Sequence, residues 1–113
     1  LIHQQLAASG SEAMSHVDRA DELRLVALGR LIDGDVEGTI DALRSAAVIL
    51  ARDPVARGLL LLELAAVLRE HDRRAEARSA IEQALPALRA EKLDDIDAEA
   101  LADAEAWLSH HSH

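Results

Sequence analysis

The chain of 113 residues contains no cysteine, no phenylalanine, no tyrosine and no asparagine, and Trp107 is its one aromatic residue. Without cysteine there is neither a disulfide framework nor a thiol nucleophile, which fits a reducing compartment and an expected cytoplasmic location. Only two prolines and five glycines interrupt it, and Lys92 is the sole lysine. Basic residues are outnumbered: twelve Lys+Arg face twenty-one Asp+Glu, for a formal charge of -9. That balance excludes a nucleic-acid partner, whose phosphates demand a basic face. No apolar run approaches the roughly 20 residues of a membrane span, so a membrane is not expected as a partner, and no signal peptide is recognisable. Leu1 stands where an initiator methionine would, which reads as a fragment or a processed chain.

What the chain has in abundance is alanine and leucine, together over a third of its residues, with Arg and Glu. These are the strongest helix formers, and β-branched or aromatic runs are missing, so the fold class is all-α. The breaks are legible. Ser9-Gly10-Ser11-Glu12 is loop-like, with Ser9 and Glu12 at capping-box spacing. Gly34-Asp35 is a turn after the apolar run Leu23, Leu25, Val26, Leu28, Leu31, Ile32. Asp53-Pro54 pairs an N-cap acid with proline at the first helical position. His71-Asp72 is the next break, with Asp72 able to cap, and Asp94 or Asp95 can cap a last helix. Five helices follow, near 12–33, 36–51, 54–70, 73–91 and 96–109, with the first eight residues a frayed turn or the tail of an earlier helix. Ile40, Leu43, Ala47 and Leu50 make one amphipathic stripe, and Ala77, Ile81, Ala84 and Leu88 another. The third helix, with Leu59 to Leu62, Leu64, Val67 and Leu68, is apolar nearly all round and should be buried on more than one side. Pro86 should bend or end the fourth helix.

An offset of 38 residues brings like onto like: Leu23 onto Leu61, Val26 onto Leu64, Ala27 onto Ala65, Gly34 onto Asp72, Thr39 onto Ala77, Leu43 onto Ile81 and Ala46 onto Ala84. Small residues let two helices approach, and large ones fill the adjoining groove. Because spacing is kept across a turn, the pattern reads as an internal repeat.

These residues resemble the tetratricopeptide repeat family of helix–turn–helix units. Leu61, Leu64, Ala65, Leu68, Ala77, Ile81 and Ala84 stand at the family's consensus spacings; residues 23–46 match less fully, because Arg30 replaces a large apolar residue. The family's unit is about 34 residues, so the longer pitch here is closer to degenerate repeats of large bacterial transcription regulators and signalling scaffolds. The resemblance implies one domain over 1–113, a right-handed solenoid of antiparallel hairpins with repeat units 23–50 and 61–88 and a capping helix 96–109. It also implies a concave groove lined by first helices. The family's carboxylate-clamping Lys and Asn do not carry over, since those positions hold Arg24, Leu28, Leu62 and Ala66. The expected groove between the first and third helices instead presents Leu28, Leu31, Ile32, Leu59, Leu62 and Ala66, with Arg24, Arg69 and Glu70 at the rim. Such a surface calls for a protein or peptide partner, or a second copy forming a homodimer.

Other candidate sites have plainer explanations. His110, His111 and His113 could approach a transition metal, but ordering a chain terminus costs entropy and no supporting residues are visible. Arg69, Arg73, Arg74 and Arg78 could receive a phosphate or acidic peptide, yet Glu70, Asp72, Glu76 and Glu82 stand at pairing distance along the helices. From Glu91 onward seven acids face one lysine, without EF-hand spacing; a solubilising face on a capping helix explains them. No serine-hydrolase elbow, phosphate-binding glycine loop or zinc-protease motif occurs, so neither enzymatic activity nor a cofactor is expected. The reading is a protein-interaction or self-association module that binds a partner's apolar helical segment. The alternatives are a compact dimeric helical-bundle subunit and a small-ligand-binding regulatory domain.

Overall fold

The structure, a computed structural model, describes residues 2–111, with side chains from His16 onward. It is all-helical: α1 (Ile2–Ile32), α2 (Val36–Ile49), α3 (Pro54–Glu70), α4 (Arg74–Arg89) and α5 (Asp95–His110), with no strand among the described residues. None of these helices is long and apolar enough to cross a membrane. The chain divides into two compact units, Leu1–Leu50 and Ala51–His113. The first is the hairpin α1–α2. The second is the hairpin α3–α4 with α5 laid against both of its helices.

Helix starts follow the sequence where a side chain caps them. Asp35, Asp53 and Asp94 each accept from a backbone N–H three residues on, at Gly38, Ala56 and Asp97, satisfying a donor that the first turn leaves free. Two boundaries differ from the expected ones, and Pro86 lies inside α4 as the expected span 73–91 has it. Residues 9–12 lie inside α1, because a single glycine costs about 1 kcal/mol and Ala7, Ala8, Glu12, Ala13 and Met14 around it favour helix. Pro86 does not end α4, which continues to Arg89: the proline ring accepts helical φ and forfeits only the bond to the Glu82 carbonyl. Asp72 does not cap α4 either. Arg73 occupies the N-cap position with no side-chain hydrogen bond, while Asp72 adopts the left-handed conformation at φ 59.

That conformation reveals how closely the two hairpin turns correspond. Gly34 has φ 81, and it stands 38 residues before Asp72. At the first turn the Asp35 N–H bonds the Arg30 carbonyl at 2.8 Å and the Gly34 N–H bonds Leu31 at 3.1 Å. At the second, the Arg73 N–H bonds Leu68 at 2.8 Å and the Asp72 N–H bonds Arg69 at 3.3 Å. Both are Schellman closures, in which a left-handed residue lets two further N–H groups reach back to the last carbonyls. In each, the residue that closes one helix also opens the next. The left-handed conformation is strained for any residue but glycine. Asp72→Gly is therefore expected to raise stability by about 0.5–1 kcal/mol, and Gly34→Ala to lower it by a similar amount. Shifts of opposite sign in the urea midpoints would show this; a destabilising Asp72→Gly would contradict it.

Burial follows the same register. Ala20, Ala27, Ala42, Leu43, Ala46 and Leu50 form the core of the first unit, and Gly58, Ala65, Ala80, Ile81, Ala84 and Leu88 hold the equivalent places in the second. Gly58 lies close against α4: a methyl group on it would stand 3.0 Å from Leu88 Cγ. The Thr39 hydroxyl, buried, donates within reach of the Asp35 carbonyl at 2.8 Å. The repeat breaks at Arg30, whose equivalent Leu68 is fully buried, at Val26, 43% exposed where Leu64 is buried, and at Ile40, fully buried where Arg78 stands half-buried. Arg30 is exposed and donates to the Gly38 carbonyl at 3.0 Å.

Candidate functional site

The nine residues expected at the groove divide between the two units. In the first, Leu28 and Ile32 are 54% and 76% exposed, Arg24 is exposed and Leu31 half-buried. Arg24 sits 3.5 Å from Asp21. In the second, Leu62 is buried, Leu59 and Arg69 are half-buried, and Ala66 and Glu70 are exposed. Leu62 does not stand open to solvent as the groove reading expects: it is nine-tenths buried and lines a cleft. Ala66 is the position on that face that solvent reaches.

This cleft runs between α3 and α5 and encloses about 320 Å3. Leu59, Leu62 and Ala66 form one wall, and Ile96, Ala100 and Ala104 form the other, spaced four apart so that they share one face of α5. Of α5's residues only Ala104 is buried, and Ile96 remains 80% exposed. An apolar strip on a helix that closes over so little of it leaves the cleft accessible. Glu63, Asp97 and Asp103 stand at its edge with Arg69, so the mouth carries more negative than positive charge.

Beside the cleft, and sharing Ala66, Arg69 and Asp103 with it, lies a second pocket lined by Glu70 and Trp107. Arg69 reaches from the last turn of α3 to Asp103 on α5 at 2.9 Å, and its guanidinium carbon lies 5.2 Å from the Trp107 ring centroid. His111 stacks on the other aromatic system, with ring centroids 4.6 Å apart and planes at 15°, and its Nδ1 lies 2.9 Å from the Trp107 carbonyl. From α4, Arg78 donates to the His111 carbonyl and Arg89 to Glu105 at 2.7 Å. These polar ties, several of them exposed, orient α5 more than they stabilise it, because screened surface pairs contribute about 0–1 kcal/mol each. The arginine cluster at the α3–α4 turn is thus engaged with the chain's own groups: Arg73 holds Glu76 at 2.8 and 3.0 Å, and Arg74 reaches Asp72 at 3.2 Å. The acids nearby in sequence supply part of this pairing. Asp103 and the His111 carbonyl, more than thirty residues away from their arginines, supply the rest.

Of the terminal histidines, His113 lies outside the described residues. Among the described residues no three His, Asp or Glu side chains come together as a metal site would require. The α5 wall of the cleft is what sequence reasoning missed. Its signal was the four-residue spacing of Ile96, Ala100 and Ala104, obscured by the acids between them.

Comparison of the chain with protein-family models, with curated proteins and with solved structures finds no match.

Proposed function

We propose that the chain is a binding module rather than an enzyme, and that the α3–α5 cleft takes an apolar side chain from a partner's helical segment. The observation carrying this reading is the cleft itself: an open apolar cavity of about 320 Å3 whose walls are aliphatic and whose edge is charged. A volume of that order holds one or two large aliphatic side chains, as helix-in-groove recognition requires. The surplus of carboxylates at the mouth favours basic residues flanking the anchor and disfavours acidic ones. In this reading α1–α2 and α3–α4 are two degenerate tetratricopeptide-like repeats of a right-handed solenoid, with α5 as the cap. The matching turns at Gly34 and Asp72 support that assignment, as does the shared burial of Ala27 with Ala65 and Ala46 with Ala84.

Trp107 lines a second pocket with Ala66, Arg69, Glu70 and Asp103, three of which also line the cleft, and it is the chain's only fluorophore of its kind. Amphipathic helical peptides carrying a leucine stripe, one set flanked by arginine and one by glutamate, can therefore be titrated against its emission. The basic set is expected to shift the Trp107 signal saturably, and Ala66→Arg, which fills the cleft wall and offsets its negative edge, to weaken that binding about tenfold or more while helicity is unchanged. Equal response to both sets would remove the charge argument. No response to either, with the wild-type chain folded, would remove the binding role of the cleft.

A further inference from the structure

The first unit carries an anomaly that the cleft does not explain. Val17, Leu25, Leu28 and Ile32 are 56%, 69%, 54% and 76% exposed, and at 100° per residue they fall on one side of α1. Ala20 and Ala27, buried, point elsewhere, toward the side α2 covers. Val26, 43% exposed, lies on the opposite side. Scattered exposed apolar residues need no explanation, but four on one face, interrupted there by Asp21 and Arg24, do.

The stripe has the spacing of a coiled-coil seam. Val17, Asp21, Arg24, Leu28 and Leu31 recur at alternating steps of four and three, with Leu25 and Ile32 flanking. Its sequence is complementary to itself in reverse. When two copies of α1 run antiparallel with residue i facing residue 45 − i, Val17 faces Leu28, Asp21 faces Arg24, Arg24 faces Asp21 and Leu28 faces Val17. Two opposite-charge layers then sit at the centre of the two-fold axis, and an apolar layer closes each side. This is the isologous arrangement that a symmetric dimer requires. A polar layer within an otherwise apolar seam fixes register and orientation.

Charge distribution also favours a second copy as the occupant. Although the whole chain carries -9, the stretch from His16 to Ile32 has three acids, Asp18, Asp21 and Glu22, and three arginines, Arg19, Arg24 and Arg30. Two copies meeting there bring no net charge together, whereas the acidic stretch from Glu91 onward would repel its own copy. Within one chain Arg24 lies 3.5 Å from Asp21, and the two side chains remain 47% and 58% exposed, within reach of a second copy. We infer that the exposed stripe of α1 is a homodimer interface, in which antiparallel copies of the helix pair Asp21 with Arg24 of the second copy between layers of Val17 and Leu28. The described seam is about 24 Å long at 1.5 Å per residue. An interface of that reach lies at the low end of specific contacts, so the dimer is reversible and concentration-dependent. It does not depend on the α3–α5 cleft.

The test uses the full chain and reversal of charge. Sedimentation equilibrium of the wild type is expected to show a monomer–dimer equilibrium. Arg24→Asp, which sets like charges opposite one another, is expected to weaken dimerisation by about tenfold or more with an unchanged circular dichroism spectrum. Asp21→Arg combined with Arg24→Asp restores complementarity and should restore the dimer. Because the chain has no cysteine, the double variant Val17→Cys, Leu28→Cys reads the register directly. Under mild oxidation, peptide mapping should find residue 17 of one copy joined to residue 28 of the other. About 16 Å of helix separates the two within one chain, too far for a disulfide. A wild type that stays monomeric at its solubility limit would overturn the proposal. So would dimerisation indifferent to Arg24→Asp, or crosslinks joining 17 to 17 and 28 to 28.

Discussion

Leu68→Ala is expected to destabilise the α3–α4 hairpin by about 2–5 kcal/mol, the range for truncating a fully buried leucine that its surroundings cannot replace. Leu68 is 0% exposed, and it stands in the last turn of α3, where its carbonyl also anchors the Schellman closure. Truncation leaves that bond in place, so the loss is one of packing alone. The matched experiment is Arg30→Ala. It sits at the equivalent place in the other hairpin, but its side chain is exposed and its one described hydrogen bond, to Gly38, is exposed as well. Its expected cost is within about 0.5 kcal/mol. Urea denaturation of the two variants should separate them by several-fold in free energy. Equal effects would contradict the difference in burial between the two positions.

Overpacking gives the second large effect. Ala84 is fully buried, and its carbonyl oxygen lines the space where a methyl group on Gly58 would fall. Phenylalanine there must push α3 and α4 apart or adopt a strained rotamer, at a cost of about 1–3 kcal/mol. Ala46→Phe is expected to behave alike in the first unit, since Ala46 is also 0% exposed. Ala102→Phe on the exposed side of α5 serves as the control and should change the thermal midpoint little. If Ala84→Phe melts at the wild-type temperature, the close approach of α3 and α4 is not real.

How much of this was legible in the sequence varies from residue to residue. Asp53-Pro54 announced the start of α3 because cap and proline act locally, through a few atoms that their own types specify. The core alanines were legible because the 38-residue offset reports a packing pattern twice. Asp72 misled: a short acid before a helix can cap it or turn left-handed, and the choice belongs to the backbone of the whole turn, which Gly34 reveals only by comparison. Gly10 misled for another reason, since helix context on both sides outweighs one unfavourable residue. At the candidate site, apolar positions could be named but their exposure could not. Leu62 and Leu28 look alike in sequence, yet one is nine-tenths buried and lines the cleft and the other is open to solvent. Nor could spacing along the chain reveal that Arg69 meets Trp107 and Asp103 across more than thirty residues.

The turns at Gly34 and Asp72 have a consequence for how the chain tolerates insertions and deletions. Each hairpin turn leaves no slack: the residue that bonds back to close the first helix is the same one whose carbonyl receives the first bond of the second, from Thr39 to Asp35 and from Ala77 to Arg73. One added residue at such a point would turn the following helix by about 100°. In α2 that would swing Ile40 and Leu43 into the exposed places of Asp41 and Arg44, and the hairpin would lose its core at a stroke. Length changes are expected to be absorbed instead between Ala90 and Asp94, ahead of α5, where the backbone makes no such double use of a residue. Lengthening there alters the reach of the tether without altering which face of any helix is greasy, so a family of working variants could differ in length at that joint while the two turns stayed fixed.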